Sequence, residues 1–284
     1  MRRPSDAVEA LLQKSLIRAE EGEWEEAAEL LREGMTDHPD DPYLLCWLGM
    51  AERELGLEGI AYERFRRALA QGPEDPVLLA TAGNALAGFD DPEAEIALRT
   101  AAMIAPELPQ ARWMYGAYLV REGMVDKGVE ELEAALRLDP DDPVIHVELG
   151  VARLLADDLA GAAHWFGSSA ELDHGDGWSL VLLGLAWLEL DEVEEGARAL
   201  EEGARLRPED LDAQVLAALA LAGEGRDDAA VEMLERARLN AEGMDEALVF
   251  EVEERIEEGP ESALRFLRNA VGPSSLRERA MQRP

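Results

Sequence analysis

The chain has 284 residues, of which 62 are acidic and 27 basic, for a formal net charge of −35. That charge repels a nucleic-acid backbone or an anionic membrane, and so excludes both as the main partner. One cysteine, Cys46, allows no internal disulfide, and the most apolar stretch, Trp178 to Leu190, is too short to span a bilayer.

The predicted elements come in pairs of helices. The first pair carries Ser15 and Arg18 on its leading helix. The second, Asp40 to Pro73, shows the pattern most clearly. Asp40-Asp41 supplies a cap, Pro42 suits the first helical position, and the apolar run Leu44-Leu45-Cys46-Trp47-Leu48 follows. A turn falls at Gly56. A second helix then runs from Glu58, with Ala61, Phe65, Ala68 and Leu69 at helical spacing, and Gly72-Pro73 ends it. The third pair opens in the same way with Asp75-Pro76, but is one residue short around Gly88-Phe89-Asp90. Further on, Trp178 to Leu188 is apolar almost all round and predicts a helix covered on every side. The last pair, Met244 to Val271, is degenerate, and residues 273–284 read as a flexible, polar, basic tail with Arg277, Arg279 and Arg283.

These pairs repeat about every 34 residues. Gly49, Gly83, Gly116, Gly150 and Gly184 mark the leading helices. Ala27, Ala61, Ala94, Gly128, Ala162, Gly196, Ala230 and Ala263 mark the following ones. Four residues after each of these comes a larger side chain: Leu31, Phe65, Leu98, Leu132, Phe166, Leu200, Leu234 and Leu267. Small opposite small lets two helices approach, and the larger residue fills the space between pairs. A fixed period of this length means stacked units in which each contacts its neighbours. No alternating strand pattern appears, so an all-α chain is expected.

From Ala7 to Val271 these residues resemble the tetratricopeptide repeat family; Trp47-Leu48-Gly49 through Gly56, Ala61, Phe65, Ala68 and Pro73 follow its motif. The resemblance implies a right-handed α-α superhelical solenoid of tandem helix-turn-helix repeats. It would fill residues 1–272 with about seven full repeats and a degenerate terminal pair. It also implies that peptides or helices of other proteins are bound.

On that architecture, one face of the leading helices lines an inner curve. Its columns run Leu12, Cys46, Ala80, Trp113, Val147, Val181, Val215; then Leu16, Met50, Asn84, Ala117, Val151, Leu185, Leu219; and, flanking, Ala19, Arg53, Ala87, Val120, Leu154, Leu188, Ala222. Nearly all are apolar, whereas the acids gather on the second helices and turns. We therefore expect a partner's apolar peptide or amphipathic helix, with basic flanks, to meet Trp47, Met50, Asn84, Trp113, Ala117, Val120, Val147, Val151, Leu154, Trp178, Val181 and Leu185. Among these, Trp47, Trp113 and Trp178 are of the residue type that most often dominates binding energy. Three other readings of the apolar columns stand beside this one. The face is filled by the chain's own tail, it mates with a second copy in a homo-oligomer, or it is ordinary core between pairs. A regulatory subunit of a separately encoded enzyme is a further alternative.

No catalytic grouping is found. His38, His146, His164 and His174 are scattered, no spacing suggests a metal site, and no glycine-rich phosphate loop follows a strand. Cys46 lies on a helix face and reads as a small apolar residue. The expectation is a non-enzymatic, cofactor-free, cytoplasmic scaffold, adaptor or chaperone-like assembly factor. Lysine is nearly absent, with only Lys14 and Lys127. With so many carboxylates, that suits a salt-rich cytoplasm.

Overall fold

The computed structural model describes residues 4–282. It divides into two compact units, Met1–Leu138 and Asp139–Pro284. The first contains α1 (Asp6–Glu20), α2 (Trp24–Asp37), α3 (Pro42–Glu54), α4 (Glu58–Ala70), α5 (Pro76–Ala87), α6 (Glu93–Ile104), α7 (Pro109–Arg121) and α8 (Val125–Leu138). The second contains α9 (Pro143–Leu155), α10 (Leu159–Leu172), α11 (Gly177–Glu189), α12 (Val193–Leu206), α13 (Leu211–Gly223), α14 (Asp227–Asn240), α15 (Asp245–Glu257) and α16 (Pro260–Phe266). A π-helical turn, Leu267–Val271, then leads into α17 (Gly272–Met281). No strand occurs among the described residues. Within each unit every odd-numbered helix up to α13 packs on the helix that follows it.

The caps explain where the leading helices start. The carboxylates of Asp41, Asp75, Asp142, Asp176 and Asp210 accept hydrogen bonds from the free amides of the first turn. Proline follows at the first position of α3, α5 and α9, where no amide hydrogen is needed.

The turn inside each pair needs one residue in the left-handed backbone region. Gly22, Gly56, Gly123 and Gly225 supply it at φ between 73° and 79°. The other three turns use aspartate: Asp90 at 53°, Asp157 at 58° and Asp191 at 72°. The one-residue shortening of the third pair sits just after Asp90, before Ala94.

Close helix approach explains the small columns. A Cβ on Gly116 would fall 2.9 Å from the Gly128 carbonyl oxygen, and one on Gly184 would fall 2.9 Å from that of Gly196. The larger column is the core itself: Leu31, Phe65, Leu98, Leu132, Phe166, Leu200, Leu234 and Leu267 are all at most 4% exposed.

The segment after Gly272 differs from the flexible tail expected for residues 273–284. Gly272–Met281 is helical, with Leu276 and Ala280 buried. Its local composition is that of a tail, but the helix packs on α11 and α9, which are distant in sequence. Arg283 lies outside the described residues.

Candidate protein-binding faces

In the first unit, α1 and α3 leave a groove open. It has a volume of about 240 Å³ and is lined chiefly by Leu12, Leu16, Ala19, Trp24, Trp47 and Met50, with Glu9 and Gln13 among its polar neighbours. Leu16 is 49% exposed, and Trp47 and Met50 are half-buried. Ser15, in the glycine column, lies buried beside them and donates its hydroxyl to the Leu12 carbonyl at 2.9 Å. Leu12, Leu16 and Ala19 fall in the inner columns read from the sequence. Trp24 does not; it begins α2.

Elsewhere in this unit the face is narrower than expected. Asn84 on α5 and Trp113 on α7 are half-buried, but Ala117 is 3% exposed and Val120 is closed. Val120 packs on Gly128 of α8 within its own pair, and the leading helices also pack on one another, α3 on α5 and α5 on α7. Small side chains such as Ala80, Ala87 and Ala117 let those helices close over the column. Here the sequence columns mark core.

In the second unit the face is partly core, with Val181 packed on Gly203 and Leu188 on Gly196 of α12, and partly covered by the chain itself. Val151, Leu154, Val181 and Leu185, all expected to meet a partner, are at most 1% exposed, whereas Val147 and Trp178 are half-buried. Helix α17 packs on α11 and α9, so the nearly all-apolar α11 is covered by α10, α12 and α17. Leu185 and Leu188 share a cavity of about 310 Å³ with Leu267, Arg268 and Gly272.

Three arginines tie this segment down. Arg279, 6% exposed, donates to both Asp210 oxygens at 2.8 and 2.9 Å and stands 3.6 Å from Asp212. Its guanidinium carbon lies over the Trp178 ring, 5.4 Å from the centroid, and that of Arg207 lies over the same ring at 5.2 Å. Arg277 reaches Asp157 at 3.2 Å, and Arg268 pairs with Asp191. Two of the three left-handed turn aspartates thus receive an arginine from residues 268–277.

Asp210 has two duties, because it also caps α13 through the Ala213 amide. Burial alone would push its carboxyl up. The hydrogen bonds from Arg279, Ala213 and Arg207 outweigh burial and hold it well below the usual carboxylate range. Burial raises the neighbouring carboxyls of Asp212, against the pull of Arg279, and Glu189, against that of Arg277.

Chemistry is disfavoured at the one thiol. Burial, helped by the Asp75 charge, pushes Cys46 up to about 12, so it carries no thiolate at neutral pH. Among the described residues no group of three or more His, Cys, Asp or Glu is placed to hold a metal. No helix among them is long and apolar enough to cross a membrane.

A tetratricopeptide repeat family model matches residues 109–152, which span α7, α8 and most of α9. Solved structures extend the likeness in fold. The APC/C hetero-tetramer Cut9-Hcn1 aligns with a TM-score of 0.65 at 19% identity, over 84% of this chain and 48% of that one. The type IV pilus biogenesis factor PilW aligns at 0.59 and 18%, over 71% and 94%. A thermophilic tetratricopeptide repeat protein of Thermus thermophilus, TTC0263, aligns at 0.50 and 24%, over 68% and 98%. By its repeats and its all-helical fold, this chain has the fold of the tetratricopeptide repeat proteins, and residues 109–152 match that family. Among curated proteins it is similar to the BBSome complex member BBS4 of Bos taurus, 24% identical over 186 residues. That match takes in 65% of this chain and 36% of the relative, so the chain spans about a third of the protein it matches.

Proposed function

We propose that this chain is a non-catalytic protein-binding scaffold whose first unit holds an apolar peptide or amphipathic helix of a partner. The groove of Leu12, Leu16, Trp24, Trp47 and Met50 carries this reading, because it stays open and apolar in a chain of charge −35. Binding would come from burying the partner's apolar side chains, at about 25 cal/mol per Å², offset by the cost of ordering the segment. Glu9 beside the groove and the acidic surface bias the choice toward basic flanks. Of the residues expected from sequence, Trp47 and Met50 line this groove, and Asn84 and Trp113 are half-buried elsewhere in the unit. Membership of an assembly, as with Cut9-Hcn1 and BBS4, fits such a role.

The test places a photo-crosslinking residue at Leu16 and compares the adducts formed in cells with and without Trp47→Asp. Ile96→Asp, on α6 away from the groove, is the control. One defined adduct that survives the control and disappears with Trp47→Asp is expected. Adducts unchanged by Trp47→Asp, or adducts only between copies of this chain, would overturn the reading; the latter would favour a homo-oligomer.

A further inference from the structure

The face of the second unit is already occupied, and by a segment with unusual reach. A helix that merely caps a repeat array packs on the last pair. Helix α17 instead packs on α11 and α9. The pairs of Arg277 with Asp157 and Arg279 with Asp210 span 120 and 69 residues. It presents what a bound helix presents: Leu276 and Ala280 one turn apart and buried, with Arg279 between them carrying the charge into the face.

The receiving side is matched to that charge. Asp210 takes the arginine with two hydrogen bonds, Trp178 takes its flat face, and Asp157 stands ready for Arg277. Asp157 and Asp191 occupy turns that glycine fills in four other repeats, so they carry an acid at a backbone position where acid is not the easiest choice. The anchoring set is nevertheless small. Among the described residues of the helix its apolar part is Leu276 and Ala280, and Asp157 and Asp191 are each at least 80% exposed, so their ion pairs are weak. A helix of about ten residues is also marginal alone.

We infer that the α9–α11–α13 face is a helix-binding site. Helix α17 is its built-in ligand, displaced by a partner helix of the same kind: amphipathic, basic, with Leu and a small residue four apart and an arginine directly before the small one. This goes beyond the groove of the first unit and stands without it, because the probe is the chain's own segment. Loss of the crosslink at Leu16 leaves it untouched.

The experiment uses the full chain and a fluorescein-labelled peptide of residues 271–284, followed by anisotropy. Arg279→Glu in the full chain frees the face, and the peptide should bind that variant at least tenfold tighter than it binds the wild type. Adding Trp178→Ala to the same chain, or Arg279→Glu to the peptide, should abolish the gain. Equal binding to wild type and Arg279→Glu overturns the inference. So does no binding to a variant that circular dichroism shows to be folded. Amide exchange on the wild type supplies a measurement free of any folding defect. Residues 272–281 should exchange by local opening, at least tenfold faster than α11; exchange together with α11 means a permanent part of the core and overturns the inference. A wild-type dimer with α17 exchanged between copies also overturns it.

Discussion

Asp157 and Asp191 hold backbone angles that cost an L-residue about 1–2 kcal/mol, and aspartate bears that cost better than most. Their pairs with Arg277 and Arg268 are exposed and contribute about 0–1 kcal/mol each. Asp191→Gly should therefore leave the stability of the chain within about 1 kcal/mol, while the amides of residues 272–281 exchange faster. Unchanged exchange would mean that this aspartate does not help hold the segment. Gly116 is the opposite case. Gly116→Ala drives a methyl against the Gly128 carbonyl and Leu132, and should cost about 1–3 kcal/mol. Gly56→Ala meets open space and pays only for its φ of 73°, about 1 kcal/mol. Denaturant titration of the two variants compares them directly, and equal losses would contradict the close contact. The glycine and alanine columns are legible in the sequence because their period matches a helix pair. The turn aspartates are missed by following glycine alone; the series Gly22, Gly56, Asp90, Gly123, Asp157, Asp191, Gly225 is the signal that finds them, acids standing where glycine is the easy choice.

At the scale of elements, helix starts can be read from Asp-Pro steps because a cap is a local interaction. The docking of α17 stands in the sequence only as an alternative, the face filled by the chain's own tail, because its partners lie 69 to 120 residues away and its own composition is that of a loose end. The apolar columns mislead for a related reason. Alanine serves equally on a binding face and between touching helices, so Ala117 says nothing by itself, and Val120 is core because it packs on Gly128 of α8 within its own pair. Docking also carries a pH dependence. Asp210 has a folded pKa below its unfolded value, so it stabilises above about pH 4, and the contribution is lost as pH falls further. Beside it stand Arg279, Arg207 and Asp212; Asp212, raised by burial and by the charges of Asp210, Glu278 and Asp245 against the pull of Arg279, acts in the opposite sense. Helix α17 should thus hold from pH 7 down to about 5 and loosen below about 4, seen as faster exchange after correction for the intrinsic rate. Tighter protection of residues 272–281 on acidification would show the sign to be wrong.

For the molecule as a whole, 62 acids against 27 bases store self-repulsion that salt relieves. At 1 M KCl the screening length is about 3 Å, and the Tm should rise relative to low salt. A flat or falling Tm would show that losing the exposed ion pairs outweighs the relief. A repeat chain otherwise unfolds through nearest-neighbour contacts. In the second unit α17 adds contacts across α9, α11 and α13, which makes those repeats more cooperative than neighbour contacts alone would. The same reach imposes a timetable on biosynthesis. The end of α11 leaves the ribosome roughly 90 residues before Leu276 does. At about 5–20 residues per second, the oily strip on α9 and α11 therefore waits some 4–20 s for its cover. During that interval the nascent chain offers a sticky surface that the finished protein conceals, and a chaperone has its opening there.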